Sequence, residues 1–167
     1  MYVWKDALWQ ELHTAGEEER LLAIEKGHVI ENVPWITVYL DGGWNKRSYG
    51  HSYNAASGVA VIIGRATRKV LYVGIRNKYC SICARADNIN SEPQAHICYK
   101  NWTGSSASME ADISSEEMHG LQYREIIADG NSSVFAKIRE KVPYGKEVIY
   151  IDVIYCLKVQ IYCYSGI

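Results

Sequence analysis

The chain has 167 residues, of which 48% are hydrophobic and 22% charged, with a formal net charge of −1. That length and mixture suit a single globular domain with a real core, and they exclude a disordered tail or a fibrous repeat. No stretch approaches the roughly 18–20 consecutive apolar residues of a membrane span. The start, MYVWKDALWQELHT, has charges where a secretory leader needs an apolar run, so an intracellular protein without a membrane partner is expected.

The first segment reads as helical. Trp4, Leu8, Leu12, Leu21, Leu22 and Ile24 recur at roughly helical spacing and Gly27 is a terminator, while residues 14–16 offer a break that would split the helix in two. A β-branched and aromatic run follows at 35–41 and ends on Asp41, where Gly42 and Gly43 are expected to break it. A polar loop with Tyr49, Gly50 and His51 leads to a second run at 58–63. Residues 64–67 read as a turn and 70–75 as a third run, so three strands joined in this way make an antiparallel meander.

Residues 77–104 are polar and rich in Cys, Asn and Ser, and they read as an irregular insertion. From Ser105 the pattern becomes helical, with Met109, Ile113 and Met118 on one side. A fourth strand at 121–128 again ends on an aspartate, Asp129. Ser132 can cap the next helix, in which Val134, Phe135, Ile138 and Val142 form an apolar stripe. Pro143 and Gly145 stop it, and 148–151 reads as a fifth strand. The expected domain layout is an N-terminal helical segment at 1–33, a core domain at 34–152 and an atypical tail at 153–167. The element order is three antiparallel strands, insertion, helix, strand, helix, strand. It is the α/β (α+β) order of an RNase H-like mixed sheet.

If that order holds, the first and fourth strands lie side by side and parallel, about 4.8 Å apart. Asp41 and Asp129 then leave the sheet at one edge. Two carboxylates so placed suit a pair of divalent ions about 3.5–4 Å apart that serve nucleotidyl transfer, and oxygen ligands suit Mg2+ or Mn2+. The alternative is that Asp-Gly is merely a common turn dipeptide. Glu110 and Asp112 lie on the helix before the fourth strand, away from the usual place of a third acid in this fold. They read as solvated helix residues, or with Glu110 bracing the insertion.

Cys80 and Cys83 followed by His96 and Cys98 bring four soft or borderline ligands within nineteen residues. Two close pairs separated by a loop suit a tetrahedral, closed and therefore structural Zn2+ site. The alternative is free thiols beside a stray histidine. Residues 42–86 contain no Asp or Glu but hold Lys46, Arg47, Arg65, Arg68, Lys69, Arg76, Lys78 and Arg85. Such a stretch can follow a phosphate backbone or form an ordinary solvated face. Trp44 and Trp102 can stack on a base or serve as packing anchors. His51 and His119 are isolated and receive no role.

Several motifs occur in one register. Val38-Tyr-Leu-Asp41-Gly-Gly-Trp44 is followed by Tyr53-Asn-Ala-Ala-Ser-Gly58, Arg76-Asn-Lys-Tyr-Cys80-Ser-Ile-Cys83 and His96-Ile-Cys98-Tyr-Lys-Asn101-Trp102. Ser105-Ser106, Met109-Glu110-Ala-Asp112 and Ile127-Ala-Asp129-Gly-Asn131-Ser-Ser133 complete the series. Together they resemble the Mutator-like transposase domain found in many animal genomes, over about residues 4–148. The resemblance implies a DDE transposase that cuts and joins DNA at transposon ends in the nucleus, with Asp41 and Asp129 as the first two acids. The sequence departs from the family at Asn131, where an aspartate is usual. It departs again after Val148, where the helix expected to carry the third carboxylate is replaced by the tail. A domain cut short at its C-terminal end and inactive as a fragment is therefore expected. The tail's alternating apolar residues favour self-association, so a homo-oligomer is one outcome.

Overall fold

The computed structural model describes residues 3–44, 55–114, 119–129 and 132–152. The loop around Tyr49, Gly50 and His51, Met118, Asn131, the side chain of Trp44 and the tail 153–167 lie outside those residues.

Helix α1 (Val3–Glu25) is continuous, and the break expected at 14–16 does not occur. Its buried face is also not the one that large residues suggest. Leu12, Ala15, Glu19 and Ala23 are buried, whereas Trp4, Leu8, Leu21 and Ile24 are exposed. Small residues win because the helix packs closely. The Gly16 backbone lies so near the His119 ring that a Cβ there would stand 2.3 Å from its Cγ. The helix ends at Gly27 (φ 71°), with the His28 amide donating to the Ala23 carbonyl at 2.8 Å, a Schellman-type closure that glycine permits.

A short strand not foreseen from the sequence, β1 (Val29–Ile30), pairs with the start of β2 (Val33–Trp44). Glu31 and Asn32 turn the chain between them, both with positive φ. Strand β2 runs through Gly42 and Gly43 instead of ending there, and its pairing with β3 (Ser57–Gly64) continues to Trp44 opposite Gly58. Strand β4 (Val70–Asn77) completes the meander. The insertion is not wholly irregular, since it contains helix α2 (Ser81–Asn88).

Helix α3 (Met109–Ser114), strand β5 (Gln122–Ala128), helix α4 (Ser132–Lys141) and strand β6 (Ile149–Asp152) follow. The sheet order is β4-β3-β2-β5-β6, with β2 parallel to β5 and β5 parallel to β6. This mixed sheet has the expected order, with β1 added.

One face of the sheet carries the helices. Val38, Leu40 and Gly42 of β2 stand opposite Gly64, Ile62 and Ala60 of β3, and alternation puts these six residues on one side. Glu19 of α1 reaches Gly64, while Ile113 and Glu110 of α3 reach Gly74 and Gly42. Val134, Ile138 and Val142 of α4 join the same core, with Phe135 packed against it, as their spacing indicates. Fully burying a side chain such as Ile62 or Ile113 contributes about 1.5–3 kcal/mol.

Glu110 and Asp112 are not solvated helix residues. Glu110 is 6% exposed, and its carboxyl group lies against β2 at Gly42. Asp112 accepts from Arg76 Nε at 2.7 Å and from Lys141 Nζ at 2.5 Å, tying α3 to β4 and α4. The isolated His119 has a packing role: its Nε2 lies 3.0 Å from the Leu71 carbonyl oxygen and its ring meets His13 edge-on.

Candidate metal centres

The parallel pairing of β2 and β5 sets Thr37 against Glu125, Val38 against Ile126 and Tyr39 against Ile127. Two residues further along each chain come Asp41, within β2, and Asp129, just past the end of β5, so both lie toward the same side of the sheet. Both aspartates are exposed. Asp41 also stands opposite Val61 of β3, so its position within the strand is fixed from both sides. The Tyr150 hydroxyl of β6 donates to the Asp129 carbonyl at 2.5 Å and ties down the other strand end. Further along the same pairing, the Thr37 hydroxyl donates to Glu125 at 2.6 Å.

Two exposed carboxylates offer hard oxygen donors, which fit Mg2+ or Mn2+ in type. Among the described residues no third His, Cys, Asp or Glu joins them with ligand atoms all within 4.8 Å. Glu110 approaches the adjacent Gly42 instead. Sequence reasoning missed this contact, although the Gly42-Gly43 pair in a long strand was its signal.

The second site lies at α2. Cys80 stands immediately before the helix, Cys83 in its first turn, and His96 and Cys98 on the segment that returns. The ligand atoms of all four lie within 4.8 Å of one another. Cys80 Sγ and Cys83 Sγ are 3.3 and 3.5 Å from His96 Nε2, and Cys83 Sγ is 3.7 Å from Cys98 Sγ. His96 Nδ1 lies 2.7 Å from the Gln94 carbonyl oxygen. Nδ1 thus points at a carbonyl oxygen and Nε2 at the thiols, and an outer bond from the second ring nitrogen is usual for a metal-bound histidine.

The electrostatics of the group follow from these contacts. The Cys83 amide holds the Cys80 thiol down at about 6. Burial, and then the thiol of Cys98, pushes Cys83 up to about 11. The Gln94 carbonyl, and then Cys98, raises His96 to about 9. Three sulfurs and one imidazole in this closeness make a set that can hold zinc.

The insertion is clamped where it leaves β4. The Asn101 and Trp102 amides both donate to the Asn77 carbonyl, at 2.9 and 3.1 Å. The Asn77 amide donates to Asn101 Oδ1 at 2.6 Å, and Asn101 Nδ2 to the Ile75 carbonyl at 2.9 Å. Spacing alone does not reveal this clamp. Trp102 packs on Gly104 and donates from Nε1 to the Ser105 carbonyl at 3.0 Å, as a packing anchor does.

The basic stretch is partly committed. Lys69 pairs with Glu18 at 2.7 Å and Arg76 with Asp112, whereas Lys78 and Arg85 of that stretch, and Lys100 beyond it, form no ion pair among the described residues. The family model of the Mutator-like transposases matches residues 2–156, a span that includes both aspartates and all four metal-type ligands. No curated protein and no solved structure matches the chain.

Proposed function

The chain belongs to the Mutator-like transposase family, and on that premise we propose that it is a DNA transposase domain of RNase H-like fold, with DNA cleavage and strand transfer as its ancestral activity. The observation that carries this proposal is the common end reached by Asp41 and Asp129 on adjacent parallel strands. Divalent ions held there, Mg2+ or Mn2+, supply activation of the attacking oxygen and stabilisation of the leaving one. The protein's part is to keep both carboxylates at one sheet edge, with β3 and Tyr150 fixing the strand ends.

In this proposal residues 34–152 form the core domain, preceded by the helical segment 1–33. The insertion 77–104 is held by a structural Zn2+ on Cys80, Cys83, His96 and Cys98. Such a site supplies the folding free energy that a polar segment cannot obtain from packing. It presents Lys78, Arg85 and Lys100 to the phosphates of transposon-end DNA, so the working compartment is the nucleus. A gel-shift titration across salt concentrations tests this. Affinity is expected to fall as salt rises, and to fall further when the three cations are changed to Ala. Binding that ignores both salt and these residues would remove the DNA assignment.

A second proposal is a non-catalytic, zinc-stabilised DNA- or protein-binding remnant. The observation in its favour is that the Cys3His group is complete, while among the described residues no third acid has its ligand atoms within 4.8 Å of those of Asp41 and Asp129. Mn2+ binding that Asp41→Asn abolishes separates the two proposals, since the remnant needs no cation at the sheet edge.

A further inference from the structure

Two glutamates are buried on the helix-covered face of the sheet, and their surroundings differ. Glu19 of α1 closes the β3–β4 turn, with one carboxylate oxygen accepting from the Thr67 amide at 2.8 Å and from its hydroxyl at 2.9 Å. Glu110 of α3 lies against Gly42, where an added Cβ would stand 2.7 Å from the glutamate Cδ and 2.8 Å from Oε1. Gly42 is the residue that follows Asp41. Only a residue without a side chain lets a carboxyl group approach the strand this closely.

We infer that Glu110 is a positioning residue for the Asp41–Asp129 pair, holding the β2 backbone at Gly42 and placing negative charge behind the strand end where a divalent cation binds. The inference rests on the carboxylate pair proposed above. Strand alternation sends the Asp41 side chain to the face opposite the one Glu110 contacts, so Glu110 acts across the backbone and not as a ligand. Among the described residues Glu110 joins no group of three metal-type ligands within 4.8 Å. The Glu110 carboxyl is largely shielded from water, and in its ionised form it would act on a nearby cation more strongly than an exposed carboxylate. The backbone end of the residue is held too, since the Ser114 hydroxyl donates to the Glu110 carbonyl at 2.5 Å.

The test is Mn2+ affinity of the zinc-loaded full chain, read from the paramagnetic signal of free Mn2+. Glu110→Gln keeps the shape and removes the charge, and it is expected to bind Mn2+ about tenfold more weakly, as loss of an outer partner of a metal site does. Gly42→Ala keeps the charge but displaces it and is expected to weaken binding similarly, which covers the case in which Glu110→Gln does not fold. Glu19→Gln, the control, is expected to lower the melting temperature and leave Mn2+ affinity unchanged. Native affinity in Glu110→Gln, alongside loss of binding in Asp41→Asn, would make Glu110 a packing residue and overturn the inference alone. Native affinity in Asp41→Asn would overturn the carboxylate pair, and this inference with it.

Discussion

Asp41 and Asp129 each stand two residues beyond a pair, Tyr39 and Ile127, that face each other across neighbouring parallel strands. One interstrand spacing, about 4.8 Å, separates the two backbones there. Groups that share an ion do not contribute independently. Asp41→Asn and Asp129→Asn are each expected to abolish the rise in melting temperature that Mn2+ gives, and the double variant to lose no more than either single one. Additive losses would mean that the two aspartates hold separate ions.

Purified protein is expected to contain one zinc per chain, and Cys83→Ser to lose it. Zinc binding contributes folding free energy directly, and the segment it organises is otherwise tied to the sheet chiefly through Asn77 and Asn101. Amide exchange in residues 80–98 is therefore expected to rise by orders of magnitude in Cys83→Ser, while strands β2 and β5 keep their protection. Unchanged exchange in the insertion would reject the site.

Proton release offers a separate check on the same four residues. Zinc takes thiolates and neutral imidazole. With Cys83 at about 11 and His96 at about 9, both are protonated near neutral pH and must give up a proton on binding. Cys80, at about 6, is already a thiolate. Lowering the pH adds competing protons, so apparent zinc affinity falls, and it falls more steeply below about 6, where Cys80 also protonates. Calorimetry in buffers of different ionisation enthalpy reads the protons released. A zinc affinity independent of pH would be incompatible with these ligands.

Asp112 gives a pH dependence of opposite origin. Burial raises its pKa, but Lys141 and Arg76 more than offset that and hold it below the ordinary 3.8. A depressed folded value stabilises above the ordinary carboxylate range, and that contribution disappears as pH falls through the folded pKa. Lys141 is half exposed, and water screens its share. Asp112→Asn is accordingly expected to cost about 1–2 kcal/mol at neutral pH and progressively less in acid. Denaturant melts across pH measure it, and a gap that persists undiminished below the native transition would argue against the charge contribution.

The strands were legible because β-branched and aromatic runs such as 35–41 and 58–63 carry their own signal, and their order placed both aspartates. Other features depend on partners distant in sequence. The buried face of α1 is lined by Leu12, which the apolar spacing includes, and by Ala15, Gly16, Glu19 and Ala23, which are set by close approach to His119 and Gly64 and which hydrophobicity does not single out. Gly42 and Gly43 resemble a strand break, yet β3 supplies the pairing that carries β2 past them. Glu110 looked solvated because a carboxylate next to the apolar stripe of Met109 and Ile113 ordinarily faces water, and only the approach to Gly42, distant in sequence, turns it inward. Strand β1, with two residues and a turn of non-glycine residues at positive φ, offers almost nothing to recognise.

The 167 residues by themselves are expected neither to nick nor to join DNA. Two-metal transfer needs enough anionic oxygen to hold both ions and to balance the charge that develops in the transition state. The strand ends supply Asp41 and Asp129, and Glu110 stands on the far side of Gly42, where it can steady the site without coordinating an ion. Residues 153–167 contain no Asp or Glu side chain. DNA binding through Lys78, Arg85 and Lys100 does not depend on these acids and is expected to persist in the same preparation. The measurement is a nicking assay on transposon-end DNA in Mg2+ and in Mn2+, with Asp41→Ala beside the native sequence. Metal-dependent nicking that Asp41→Ala abolishes would mean that two aspartates, with Glu110 behind them, suffice for the chemistry.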